Sequence, residues 1–146
     1  MRMYGFMGVF MNGTCSQEYY IIAKEKVSPL GQEFSYDYFK LLRDAMGNKK
    51  VSVKAFLATE QRIPGLGNGT LQDILWNAKL HPKCELNSVT EEEYWRMYTA
   101  VKGTLAEMCA SGGRDTERDF LGNPGGYRTI LSKKTLWTPC EHCQRA

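Results

Sequence analysis

Residues 63–75 read IPGLGNGTLQDIL, a turn of proline and two spaced glycines that runs straight into a helical pattern. A turn needs only one glycine for a left-handed backbone angle. The GxG spacing of Gly65 and Gly67 also strips away side chains, which lets a bulky group approach the amides where a helix starts near Gly69. Phosphate fits such a place. The same letters fit a tight turn between two packed helices with no ligand at all, and the motif alone leaves both open.

The flanks of the turn are helical. VSVKAFLATEQR gives a short helix from about Ser52 to Glu60 with Ser52 as N-cap. TLQDILWNAKL places Leu71, Ile74, Leu75 and Ala78 on one face, and His81-Pro82 stops it. Upstream, Phe34, Tyr38, Leu41, Leu42 and Ala45 recur at three- and four-residue steps between a Ser35 cap and Gly47. Downstream, TEEEYWRMYTAVKGTLAEMCASGG has a capping box in Thr90 and Glu93. Its apolar stripe runs through Tyr94, Tyr98, Val101, Leu105 and Met108, and the pair Gly112-Gly113 ends it.

The two ends of the chain read differently. RMYGFMGVF and EYYIIAKEKV are rich in aromatic and branched residues around a turn-like NGTCSQ, which predicts a β hairpin. From residue 112 onward, glycine, proline and mixed charge predict a loop, a strand over 127–131, and a strand or turn into Cys140-Glu141-His142-Cys143.

Composition narrows the class. With 146 residues, 42% of them hydrophobic, the chain can bury one core or two small lobes. Its apolar runs are too short for a membrane span and no signal peptide is recognisable, which predicts a cytoplasmic protein with no membrane partner. Five cysteines, an odd count, argue against a disulfide framework, and Cys109 reads as a small core residue. Between Asn48 and Lys83 six basic residues (Lys49, Lys50, Lys54, Arg62, Lys79, Lys83) face two acidic ones (Glu60, Asp73). The GLGN turn sits inside this basic window, which favours a polyanion.

Taken in order, the Lys54 helix, the GLGN turn, the segment GGRDTERDFLGNPGGY and the terminal CEHC resemble the C-terminal half of the formamidopyrimidine-DNA glycosylase and endonuclease VIII family. KAFLATEQRIPGLGNGTLQDILWNAKLHP resembles its helix-two-turn-helix motif, and TPCEHC its first pair of zinc-ligand cysteines; the likeness covers about residues 34–143. The resemblance implies a base-excision-repair enzyme, a bifunctional DNA glycosylase and AP lyase for oxidised bases. Its partner would be double-stranded DNA carrying an oxidised base or an abasic site. It implies phosphate contacts from Asn68, the amide of Gly67, Lys54 and Tyr127, and zinc as cofactor.

Catalysis in that family resembles a Schiff-base mechanism in which an N-terminal proline attacks the sugar beside a glutamate. Here the five prolines (Pro29, Pro64, Pro82, Pro124, Pro139) are all interior, and the family's arginine-containing wedge loop is matched by Gly5-Phe6-Met7-Gly8. An acylated proline nitrogen is no nucleophile. Cys140 and Cys143 offer half of a tetrahedral zinc site, which predicts weak or absent zinc. The expectation is therefore a DNA-binding part that is inactive alone. A helix-hairpin-helix nucleic-acid module, or an interaction protein that binds no nucleic acid, are the alternatives. The expected fold is mainly α with small β elements. It comprises a β hairpin remnant of a catalytic lobe over 1–32, a helix-two-turn-helix domain over 33–111, and a loop with an incomplete zinc-finger hairpin over 112–146. Self-association would cover any apolar face left open on the helix 34–47.

Overall fold

The computed structural model describes residue 11, residues 13–140 and residue 144. Five α-helices follow in chain order: α1 (Glu18–Glu25), α2 (Tyr36–Asp44), α3 (Val53–Ala58), α4 (Asn68–Asn77) and α5 (Glu91–Ala110), with a 3-10 turn at Leu86–Ser88. Local chemistry sets most boundaries. Ser35 and Ser52 accept the amides of Tyr38 and Ala55 at the starts of α2 and α3, and Thr90 and Glu93 close a reciprocal capping box on α5. Each such cap contributes about 1 kcal/mol.

Helix α5 is the spine, packed against α4 and α2. Tyr94, Met97 and Val101 from α5 are fully buried with Phe34, Phe39, Val53, Phe56 and Ile74. Tyrosine hydroxyls tie the layers together: Tyr94 donates to the Phe39 carbonyl at 2.6 Å and Tyr98 to the Phe34 carbonyl at 3.1 Å. α3 and α4 pack as a pair whose outer ends are stitched by Val53 N–H to the Cys84 carbonyl (2.9 Å) and Leu86 N–H to the Val51 carbonyl (2.9 Å). This frame holds the GLGN turn. No helix among the described residues is long and apolar enough to cross a membrane.

Several expectations need correction. Among the described residues there is no β-strand, only isolated bridges such as Arg114 with Tyr127. The predicted N-terminal hairpin fails in its second arm, because EYYIIAKE forms α1, capped by Gln17 accepting the Tyr20 amide. A strand there would need a partner for its amides, whereas a helix satisfies its own. RMYGFMGVF, including Phe6 and Met7, lies outside the described residues.

Among the described residues the predicted strand over 127–131, and with it any zinc-finger hairpin, is absent for a definite reason. Three of its amides go to carboxylates: Thr129 to Asp115 (3.1 Å), and Ile130 and Leu131 to Asp73 (3.1 and 2.9 Å). Cys109 and Leu41 are exposed rather than core.

Candidate nucleic-acid interface

The turn between α3 and α4 is built from both sides. Glu60 and Gln61 adopt left-handed angles (φ 58° and 48°), unusual for residues with side chains, and Gly65 follows at φ 84°. Arg62 stabilises this path. Its guanidinium reaches back to the Phe56 and Ala55 carbonyls (3.1 and 3.2 Å) and to the Thr59 hydroxyl (3.0 Å), and pairs with Glu60 at 2.7 Å. A cation at a helix C-terminus answers both orphan carbonyls and the helix dipole. Arg62 is buried, so it leaves the basic window that the sequence suggested. Lys49, Lys50, Lys54, Lys79 and Lys83 remain exposed, and none makes an ion pair among the described residues.

Gly65 supplies the sharp bend, but Gly67 does not need to be glycine for the fold. Its backbone is ordinary (φ −86°, ψ 163°), and a methyl group there would meet nothing within 4 Å. Gly67 is the N-cap of α4 and offers no side-chain cap, whereas the other four α-helices each have one. The Gly67 amide itself donates to the Gly65 carbonyl at 3.1 Å. The free amides are therefore one step on, at Asn68, Gly69 and Thr70, the first turn of α4. Asn68 is exposed, and its carboxamide makes no hydrogen bond among the described residues, so it is not a cap. Three free amides at the positive end of a helix, with no acidic residue in the first turn, form a place for an anion.

Lys54 lies in the first turn of α3, its amide bonded to the Pro82 carbonyl at 3.2 Å and its side chain exposed. Tyr127 is placed differently. It is 4% exposed, and its hydroxyl lies against Asp73 and Asn77, well along α4 from the turn. Burial, then the nearby Asp73 charge, push its phenol up to about 12. Its backbone clamps the chain, with Tyr127 N–H to the Gly113 carbonyl (2.9 Å) and Asp115 N–H to the Tyr127 carbonyl (2.8 Å). The tyrosine ring is packed in the interior here.

Cys140 is half-buried, while His142 and Cys143 lie outside the described residues. Among the described residues no three His, Cys, Asp or Glu side chains gather as a metal set. The two cysteines of CEHC fit half of a tetrahedral zinc centre and no more.

Three features escaped the sequence reading. Asp73, fully buried, anchors residues 130–131 to α4. Arg114 lies across Gly69. A tight loop, in which Asp119 accepts the amides of Leu121 (2.9 Å) and Asn123 (2.8 Å), lifts Phe120 and Leu121 clear of the surface. Asp73 falls off the apolar stripe of α4 and so gave no periodic signal, but Gly69 inside a helical turn was a visible one.

Comparison with known proteins agrees with this geometry. The family model described as "Formamidopyrimidine-DNA glycosylase H2TH domain" matches residues 27–119. A formamidopyrimidine-DNA glycosylase of Legionella pneumophila is 35% identical over 122 residues, which cover 80% of this chain and 42% of that protein. The chain thus spans about half the length of the curated relatives it matches, 52% in the case of the Shouchella clausii protein. Among solved structures, the MutM (Fpg) protein of Thermus thermophilus superposes with a TM-score of 0.70 at 30% identity, covering 82% of this chain and 46% of that one. Fpg from Lactococcus lactis, in a complex with DNA containing an abasic site, superposes with a TM-score of 0.60 at 27% identity, covering 73% of this chain and 39% of that one.

Proposed function

Because the chain belongs to the formamidopyrimidine-DNA glycosylase H2TH domain family, we propose that it grips the backbone of double-stranded DNA in base-excision repair, using the first turn of α4. One observation carries this: Gly67 is bare where the fold has no need of a glycine, directly before an uncapped helix start and an unbonded Asn68. A phosphate oxygen seated there accepts from the amides of Asn68, Gly69 and Thr70, and the Asn68 carboxamide closes over it. Lys54 and the other exposed lysines add charge that draws the duplex in.

The DNA that gives such a grip its purpose carries an oxidised base or an abasic site, as the named ligands of the Lactococcus protein suggest. Extruding a damaged base costs a few kcal/mol, so the backbone must be held while the base is out.

Fluorescence anisotropy with a labelled duplex, with and without an abasic-site analogue, across a salt series, tests the proposal. Binding that weakens with salt and falls about tenfold or more in Asn68→Ala is expected, the range for one hydrogen bond to a charged group. Absence of binding at low salt by folded protein overturns it. Preference for the abasic duplex extends it to lesion recognition.

A further inference from the structure

Gly69 is the second residue of α4, and a side chain there would displace a specific neighbour. A methyl group on it would fall within the guanidinium of Arg114, 2.6 Å from both Cζ and Nη2 and nearer still to Nη1. Glycine inside a helix costs about 0.5–1 kcal/mol relative to alanine, and the backbone angle of Gly69 does not call for it. The residue makes room for Arg114.

The arginine is firmly held but poorly satisfied. Its side chain is 13% exposed, and its Nε is sealed from solvent with no partner. Nη2 donates to the Thr116 hydroxyl at 2.8 Å, with the Glu117 carboxylate at 3.7 Å, and Nη1 has no partner among the described residues. Five donors thus have one good acceptor. The backbone on either side is clamped by the Gly113 and Asp115 bonds to Tyr127, and Gly125 packs directly on Gly113. The guanidinium also lies against the first turn of α4, the positive end of that helix, where a cation is repelled. An anion between the two makes both contacts favourable.

The geometry points to Arg114 as the charged member of the α4 anion site, seated on Gly69 to bind the same DNA phosphate as the first-turn amides. This rests on the reading of that turn as a phosphate site. A guanidinium matches phosphate with its planar fork. Arg114 also comes from the segment beyond α5, so the site draws on two separate stretches of chain. Binding there would press residues 113–129 onto α4.

The test is a salt series on the full chain with Arg114→Gln, Gly69→Ala and the double variant, beside Asn68→Ala as control. Arg114→Gln is expected to weaken duplex binding about tenfold to a hundredfold and to lower the slope of log K against log salt by about 0.9, one phosphate's share. Gly69→Ala keeps the charge but evicts the guanidinium. It should weaken binding in the wild-type background and add nothing in the Arg114→Gln background.

An unchanged slope in folded Arg114→Gln overturns the inference. If Asn68→Ala still weakens binding in that case, the α4 site stands without Arg114; if neither variant matters, both fall. Should Arg114→Gln fail to fold, Gly69→Ala decides, and unchanged affinity with unchanged slope overturns the assignment.

Discussion

Asn68→Asp separates the two things α4's first turn does. The substitution exchanges an amide for a carboxylate of the same shape at the first helical position, where no acidic residue and no side-chain cap now stand. A negative charge at that position stabilises a helix by about 0.3–1 kcal/mol. For a chain of this length the melting temperature rises by about 1–4 °C.

Against DNA the sign reverses. The lost donation to a charged phosphate costs about 1.5–3 kcal/mol. Repulsion between two unit charges about 4 Å apart adds about 1–4 kcal/mol, depending on how much water intervenes. Even the low ends together make about 2.5 kcal/mol, or about sixtyfold in Kd. Differential scanning fluorimetry and anisotropy on one preparation read both quantities. A protein that melts higher and binds DNA as before refutes the phosphate contact, and one that melts lower refutes the picture of an uncapped helix start.

Three further outcomes follow from the same geometry. Asp73→Ala strands the amides of Ile130 and Leu131, so it should cost about 2–4 kcal/mol of stability. The loss shows in the melting temperature and in faster hydrogen exchange at those two amides. Arg62→Met removes a buried guanidinium from the α3 carbonyls and should destabilise by about 2–3 kcal/mol. The slope of DNA affinity against salt stays unchanged, since Arg62 meets no solvent anion; a shallower slope would return it to the basic surface.

Tyr127 should ionise near 12 rather than near its ordinary 10. The fold favours the neutral phenol, so its contribution to stability is complete below pH 10 and disappears as pH rises through 12. Ultraviolet titration of wild type against Tyr127→Phe isolates that step, and ionisation near 10 would place the ring at the surface.

Most helix starts were legible because they depend on neighbours in sequence. Ser35, Ser52 and the Thr90–Glu93 box cap the helices they were expected to cap, and Leu71, Ile74, Leu75 and Ala78 are all buried. Contacts between distant residues left no such trace. The branched and aromatic residues of EYYIIAKE suit a strand by propensity, but no partner strand appears among the described residues and the helix wins. The segment 127–131 alternates like a strand, yet Asp73, 57 and 58 positions away from its partners, takes two of its amides. At the candidate site, Gly67 and Asn68 were visible as a motif, whereas the roles of Arg62, Arg114 and Tyr127 depend on which side chains meet across the fold.

The Asp73 anchor carries a consequence for insertions and deletions. It lies five positions on from Asn68, and at about 100° per residue the two side chains leave α4 about 140° apart, one outward and one toward residues 130–131. A single residue gained or lost between them swings the anchor by about 100° and slides it by about 1.5 Å. Leu71 would leave the core in the same motion. Length variation in this protein is thus disfavoured within residues 68–73.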